Sequence, residues 1–171
     1  SVGGLDAGVG AIDDSSGAAS AVSGDDGLEY DTYLGWGGEV GGVEVGIGYT
    51  RYDYTYTSDY ESEINLSAGI AGFGLAVALG NDDDGDAGDD DYTVIDLSYA
   101  SGAFGVLLGQ VDYDDSDVEW KRVELSYSAE IGGADATATY GRTFDAEVGG
   151  ADLTSFASDY LVLSLSKSFD L

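Results

Sequence analysis

Carboxylates set on alternating positions are the residues of this chain with the most chemistry in them. Glu29, Asp31, Glu44, Glu63, Asp96, Glu124 and Glu130 each stand one position away from apolar neighbours. Such a set can attract and pass cations, hold a divalent ion, or work in pairs as general acid and base. Asp135 shares the pattern, and Arg122 is the one base with the same parity. The chain has no His and no Cys, so Ser–His–Asp and Cys–His nucleophiles and His- or thiolate-ligated zinc are excluded. With 34 acids in 171 residues, close carboxylate pairs arise by chance, and no enzymatic activity is expected.

A second acidic group is the run NDDDGDAGDDD from Asn81 to Asp91. It is not an EF-hand: neither Gly85 nor Gly88 follows acids at one, three and five positions, and no Glu closes the spacing. Asp82, Asp84, Asp86 and Asp89 could hold Ca or Mg loosely. A solvated, self-repelling loop is the plainer reading. No other cofactor is expected.

The elements that carry these residues have a period of two. In ESEINLSAGI, Ile64, Leu66, Ala68 and Ile70 fall on one side, and Glu63, Asn65, Ser67 and Gly69 on the other. Ten strands are expected: 2–12, 28–38, 43–54, 60–71, 73–80, 92–101, 104–113, 118–131, 134–144 and 159–171. Tight turns at 41–42, 71–72, 101–102 and 132–133 alternate with longer, acidic connections. The strand FGVLLGQVDY breaks the alternation, and a bulge near Leu107–Gly109 would account for it. The absence of Pro suits paired strands, and no apolar run is long enough for a membrane helix. The expected fold is all-β: one domain, 1–171, as a transmembrane antiparallel up-and-down β-barrel with the last strand paired to the first. Tyr52, Tyr54, Tyr56, Tyr60, Tyr92, Tyr113, Trp120, Tyr140 and Tyr160 fall near the long loops and read as an aromatic girdle. Trp36, Phe73, Phe104 and Phe169 read as a thinner one at the other end.

Charge narrows the partners. A net charge of −29 repels nucleic acid. It also fits a marine or halophilic source, where acidity serves solubility. Arg51, Lys121 and Arg142 gather at strand ends beside the long loops and share parity with apolar neighbours. They could bind the phosphates of an outer-leaflet glycolipid, or pair with nearby Asp residues. The chain starts at Ser1 without a signal segment, so a processed or truncated product is expected.

Several segments resemble the TorF family of outer-membrane porins. GLDAGVGAID (Gly4–Asp13) looks like that family's G-aromatic-x-A-G-V-W-G segment. Leu28–Tyr56 is similar to its strand-turn-strand around Gly-Gly, and LVLSLSKSF (Leu161–Phe169) to its terminal strand. The chain departs from the family in lacking an N-terminal hairpin with an aromatic-x-Arg-Gly segment, and in ending on Asp170 and Leu171. With that hairpin the family pattern implies twelve strands. The resemblance implies a porin in the outer membrane of a Gram-negative bacterium. The residues on their own point to a narrow passive channel for small cations or small polar solutes, with Glu29, Asp31, Glu44, Glu63, Asp96, Glu124 and Glu130 along the pathway. A structural barrel whose acidic extracellular loops bind a protein partner or cations is the alternative, and a soluble acidic β-sandwich a third reading.

Overall fold

A computed structural model describes residues 3–13, 28–55, 60–83, 89–114, 118–148, 151–152 and 158–167. These form eleven strands and, among the described residues, no helix. In chain order they are β1 (Gly4–Asp13), β2 (Leu28–Val40), β3 (Val43–Tyr54), β4 (Tyr60–Ile70), β5 (Phe73–Asp83), β6 (Asp89–Ser101), β7 (Phe104–Tyr113), β8 (Val118–Ile131), β9 (Ala134–Val148), β10 (Ala151–Asp152) and β11 (Asp159–Ser166). From β1 to β10 each strand pairs with the next in an antiparallel up-and-down sheet, and β11 returns along β9 beyond the two-residue β10. The chain divides into two compact units, Ser1–Ala68 with Val77–Thr93, and Gly69–Ala76 with Val94–Leu171.

The ten expected strands are all present, and several run further than the alternation suggested. β5 and β6 extend into the acidic run as far as Asp83 and back from Asp89, and Asn81 Nδ2 donates to Asp91 Oδ1 at 2.9 Å. Ladder bonds there continue past the last apolar residue, because backbone pairing needs no side-chain pattern. The expected ladder between the last strand and the first is not formed among the described residues. Among the described residues β11 pairs only β9, and β1 only β2, so the sheet is not closed into a barrel. The edge strand β1 carries Gly4, Gly8 and Gly10, which leave few side chains for cross-strand pairs.

The hairpins explain why the register is firm. Gly41 and Gly42, Ala71 and Gly72, and Gly132 and Gly133 all have positive φ, the pattern of type I′ turns. At the remaining tight turn only Gly102 is positive, and the loop is Gly102–Ala103 rather than the expected 101–102, as in a type II′ turn. Ala71 is the misfit, with φ of 52°. A Cβ in that region costs about 1–2 kcal/mol. Ala71→Gly should therefore stabilise the protein by about 1 kcal/mol, read by urea unfolding in detergent micelles; no gain would contradict the strain. The neighbouring Gly72 could not be exchanged for Ala, since a Cβ there would strike the Ala100 carbonyl.

The bulge expected in β7 lies elsewhere. β7 pairs one-for-one with β8 from Phe104↔Tyr127 to Tyr113↔Val118. The irregularity sits between β8 and β9, where the register shifts between Glu119 and Lys121 and Asp145 takes a φ of 50°. Asp tolerates this conformation better than most residues. β7 looks irregular in sequence because Leu107 and Val111 are apolar residues on the otherwise polar face. Val111 is buried there, opposite Trp120.

Two faces result. Of the large hydrophobic and aromatic residues described, only Tyr92 and Val111 are buried, at 6% and 4% exposure. Leu163 is 75% exposed, Phe104 68% and Ile131 65%. Among the described residues the apolar side chains thus form a surface and leave no conventional hydrophobic core.

Candidate functional site

The polar face holds the carboxylates, and its construction is clearest where a long side chain crosses a glycine. In the first unit Tyr92 of β6 lies over Gly80 of β5, and its hydroxyl donates to Glu63 Oε1 of β4 at 2.8 Å. A second phenol, Tyr52 of β3, donates to Glu63 Oε2 at 3.1 Å, so one carboxylate is held from both sides. Tyr54 repeats the bond one step nearer the long loops, to Glu61 Oε1 at 2.8 Å.

The second unit uses the same device twice. Tyr160 of β11 lies over Gly141 of β9 and donates to Glu124 Oε1 of β8 at 2.7 Å. The three residues share one row of the ladder: Tyr160↔Gly141 and Glu124↔Gly141 are direct partners. Arg122 of β8 crosses Gly109 of β7 and meets Asp96 Oδ2 of β6 at 2.6 Å. Its Nε lies 3.7 Å from Glu124 Oε1. Asp96, Arg122, Glu124 and Tyr160 thus form one connected cluster.

Glycine is required at these crossings for space. A Cβ at Gly80 or Gly141 would overlap the tyrosine ring, and one at Gly109 would overlap Asp96 and Arg122. With the Cβ absent, a long side chain lies flat across one strand and bonds to the strand beyond. Tyr33 also lies over Gly8, on the edge strand β1.

The expected pathway residues fall into three groups. Glu63, Asp96 and Glu124 are the clustered ones just described. Glu29 and Asp31 stand opposite Tyr54 and Tyr52 in the β2–β3 ladder. Asp31 Oδ1 and Asp96 Oδ1 are buried and accept no hydrogen bond from the described residues. Glu44 and Glu130 lie apart, exposed beside the tight turns, each directly opposite another acid: Glu44↔Glu39 and Glu130↔Asp135. Like charges so placed repel each other.

The aromatic girdle is corrected in part. Tyr52, Tyr54, Tyr92 and Tyr160 turn to the polar face, where carboxylates accept from their hydroxyls. Tyr140 stays on the apolar face among Leu125 and Leu161. Tyr60 carries the Arg51 guanidinium 3.9 Å above its ring. Tyr56 and Phe169 lie outside the described residues.

The three bases at the strand ends each have an acid within reach, but not equally. Arg51 grips Asp53 with Nη2 at 2.8 Å and Nε at 2.9 Å. Lys121 is 3.5 Å from Asp145, and Arg142 is 3.7 Å from Asp159. Asp84 and Asp86 lie outside the described residues, as do the side chains of Asp82 and Asp89. Among the described residues there is no group of three or more acids, His or Cys that could hold a metal ion.

No family model, curated protein or solved structure matches this chain. Its function must be read from the two faces themselves. One is a broad, exposed apolar surface. The other is lined by carboxylates, hydroxyls and glycines, with Arg122 as a base inside its clusters.

Proposed function

We propose that the chain is an outer-membrane β-barrel, with its apolar face in lipid and its acidic face around a narrow, hydrated, cation-preferring lumen. The observation that carries the reading is the inversion of burial. Leu161, Leu163 and Leu165 are 66–75% exposed on β11, while the polar face carries the hydrogen-bonded network. In water such a surface would aggregate; in a bilayer it is the favourable arrangement. A sheet in lipid cannot keep unpaired edges, so β1 and β11 must find partners there, either each other or a further hairpin.

Transport in this reading is passive. Carboxylates such as Asp31, Glu63 and Glu124 lower the energy of a passing cation and raise that of an anion. The test is a planar-bilayer recording in a salt gradient. The reversal potential should show cations preferred over anions, and replacing Glu63 and Glu124 together by Gln should shift it toward zero. An anion preference, or no conductance from inserted protein, would overturn the channel.

One observation favours a second reading, a structural barrel without transport. The chains Tyr52–Glu63–Tyr92 and Asp96–Arg122–Glu124–Tyr160 lie across the polar face and occupy space an open lumen would need. Detergent-dependent solubility with no conductance would select it.

A further inference from the structure

The apolar face of the second unit carries a groove of about 500 Å³ lined by Tyr99, Phe104, Leu125, Tyr127, Tyr140 and Leu161 among others. Its upper margin is one row of the ladder, Leu125↔Tyr140↔Leu161. The next row toward the long loops is Val123↔Arg142↔Asp159, and Lys121↔Phe144 lies in the row above that. Rows on one face are roughly 7 Å apart, since each residue rises about 3.4 Å. Arg142 therefore stands one row and Lys121 two rows above an apolar groove, on the same face, in a chain carrying only five bases.

We propose that this groove and its two bases bind one lipid with a phosphorylated headgroup. An acyl chain would lie in the groove and the phosphate between Lys121 and Arg142. The inference rests on the membrane reading of the apolar face and adds a specific partner to it. Charge complementarity chooses the occupant. On a surface this acidic a phosphate is repelled almost everywhere, and among the described residues these two cations are held only by contacts of 3.5 and 3.7 Å, too long for strong hydrogen bonds. A phosphate replaces those contacts with shorter, charge-assisted ones. Arg51 does not belong to the site. Its guanidinium is already held by Asp53 and stacked on Tyr60, so it has little to offer a second anion.

The test is native mass spectrometry of the protein in micelles supplied with lipid A, and with its dephosphorylated form as competitor. The wild type should retain one lipid A, and the dephosphorylated form should not displace it. Lys121→Gln with Arg142→Gln should weaken retention by about tenfold, a modest loss for two charge-assisted contacts at the surface. Arg51→Gln should bind as the wild type does. Equal retention in the double variant, equal loss in Arg51→Gln, or no retention by the wild type would overturn the proposal. Protease protection after transfer into phosphatidylcholine vesicles separates it from the reading beneath it. A protein that inserts without holding lipid A sinks the lipid site alone, whereas one that never inserts sinks the membrane reading. If the double variant fails to insert, Arg142→Gln carries the same comparison.

Discussion

Gly141→Val should destabilise the protein by about 3 kcal/mol, read as a lower urea midpoint in detergent micelles. Gly141 is buried, and Tyr160 lies where the new side chain would be. The ring must leave, and its hydroxyl then loses Glu124 Oε1, now 2.7 Å away. Overpacking accounts for about 1–3 kcal/mol, and the lost bond to a charged acceptor for about as much again. Tyr160→Phe keeps the ring and removes only the bond, so it should cost roughly half. Gly4→Ala supplies the control: nothing lies within 4 Å of a Cβ there, and its stability should match the wild type. A Gly141→Val protein within 1 kcal/mol of wild type would mean that the crossing is incidental.

The crossings mark how far the sequence could be read. Alternation placed Glu63, Asp96 and Glu124 on one face because a strand permits only two directions for a side chain. The type I′ turns were equally accessible, since Gly-Gly pairs between apolar runs have few other uses. The tyrosines were misplaced for a reason that parity could have corrected. Tyr92 stands four residues from Asp96 on β6, and Tyr52 eight from Glu44 on β3, both even spacings and so the same face. Their position near the long loops outweighed that count. The glycines were harder. Gly80 and Gly141 look like any strand glycine, and their role depends on which residue of the neighbouring strand lies opposite. That is a fact of register, which a single strand does not encode. The placement of Arg51 beside Asp53 was open to sequence, because residues two apart on a strand share a face. The weaker hold on Lys121 and Arg142 was not: their acids come from neighbouring strands, with Asp145 at the register shift and Asp159 opposite Arg142 on β11.

Whether the polar face is wet or packed is decided by Arg122. Its side chain is 26% exposed and that of its partner Asp96 19%, with 2.6 Å between them. If the face is packed, Arg122→Met leaves Asp96 largely buried without its base, and one carboxylate oxygen there already lacks a donor among the described residues. The loss should then be about 2 kcal/mol in urea midpoint stability, below the full value for a buried pair because water still reaches both groups. Asp96→Asn added to Arg122→Met should recover most of it, since the uncompensated charge is gone. If the face borders a hydrated lumen, water and cations take over the role of Arg122. The single variant should then cost under about 1 kcal/mol, and the double variant should recover nothing. The recording gives an independent answer. Removing Arg122 leaves Asp96 and Glu124 without a nearby cation, so a conducting pore should become more cation-preferring. A large stability loss with no change in reversal potential would place this cluster in a packed wall and favour the structural barrel. A small loss with a shifted potential would place it in the ion path.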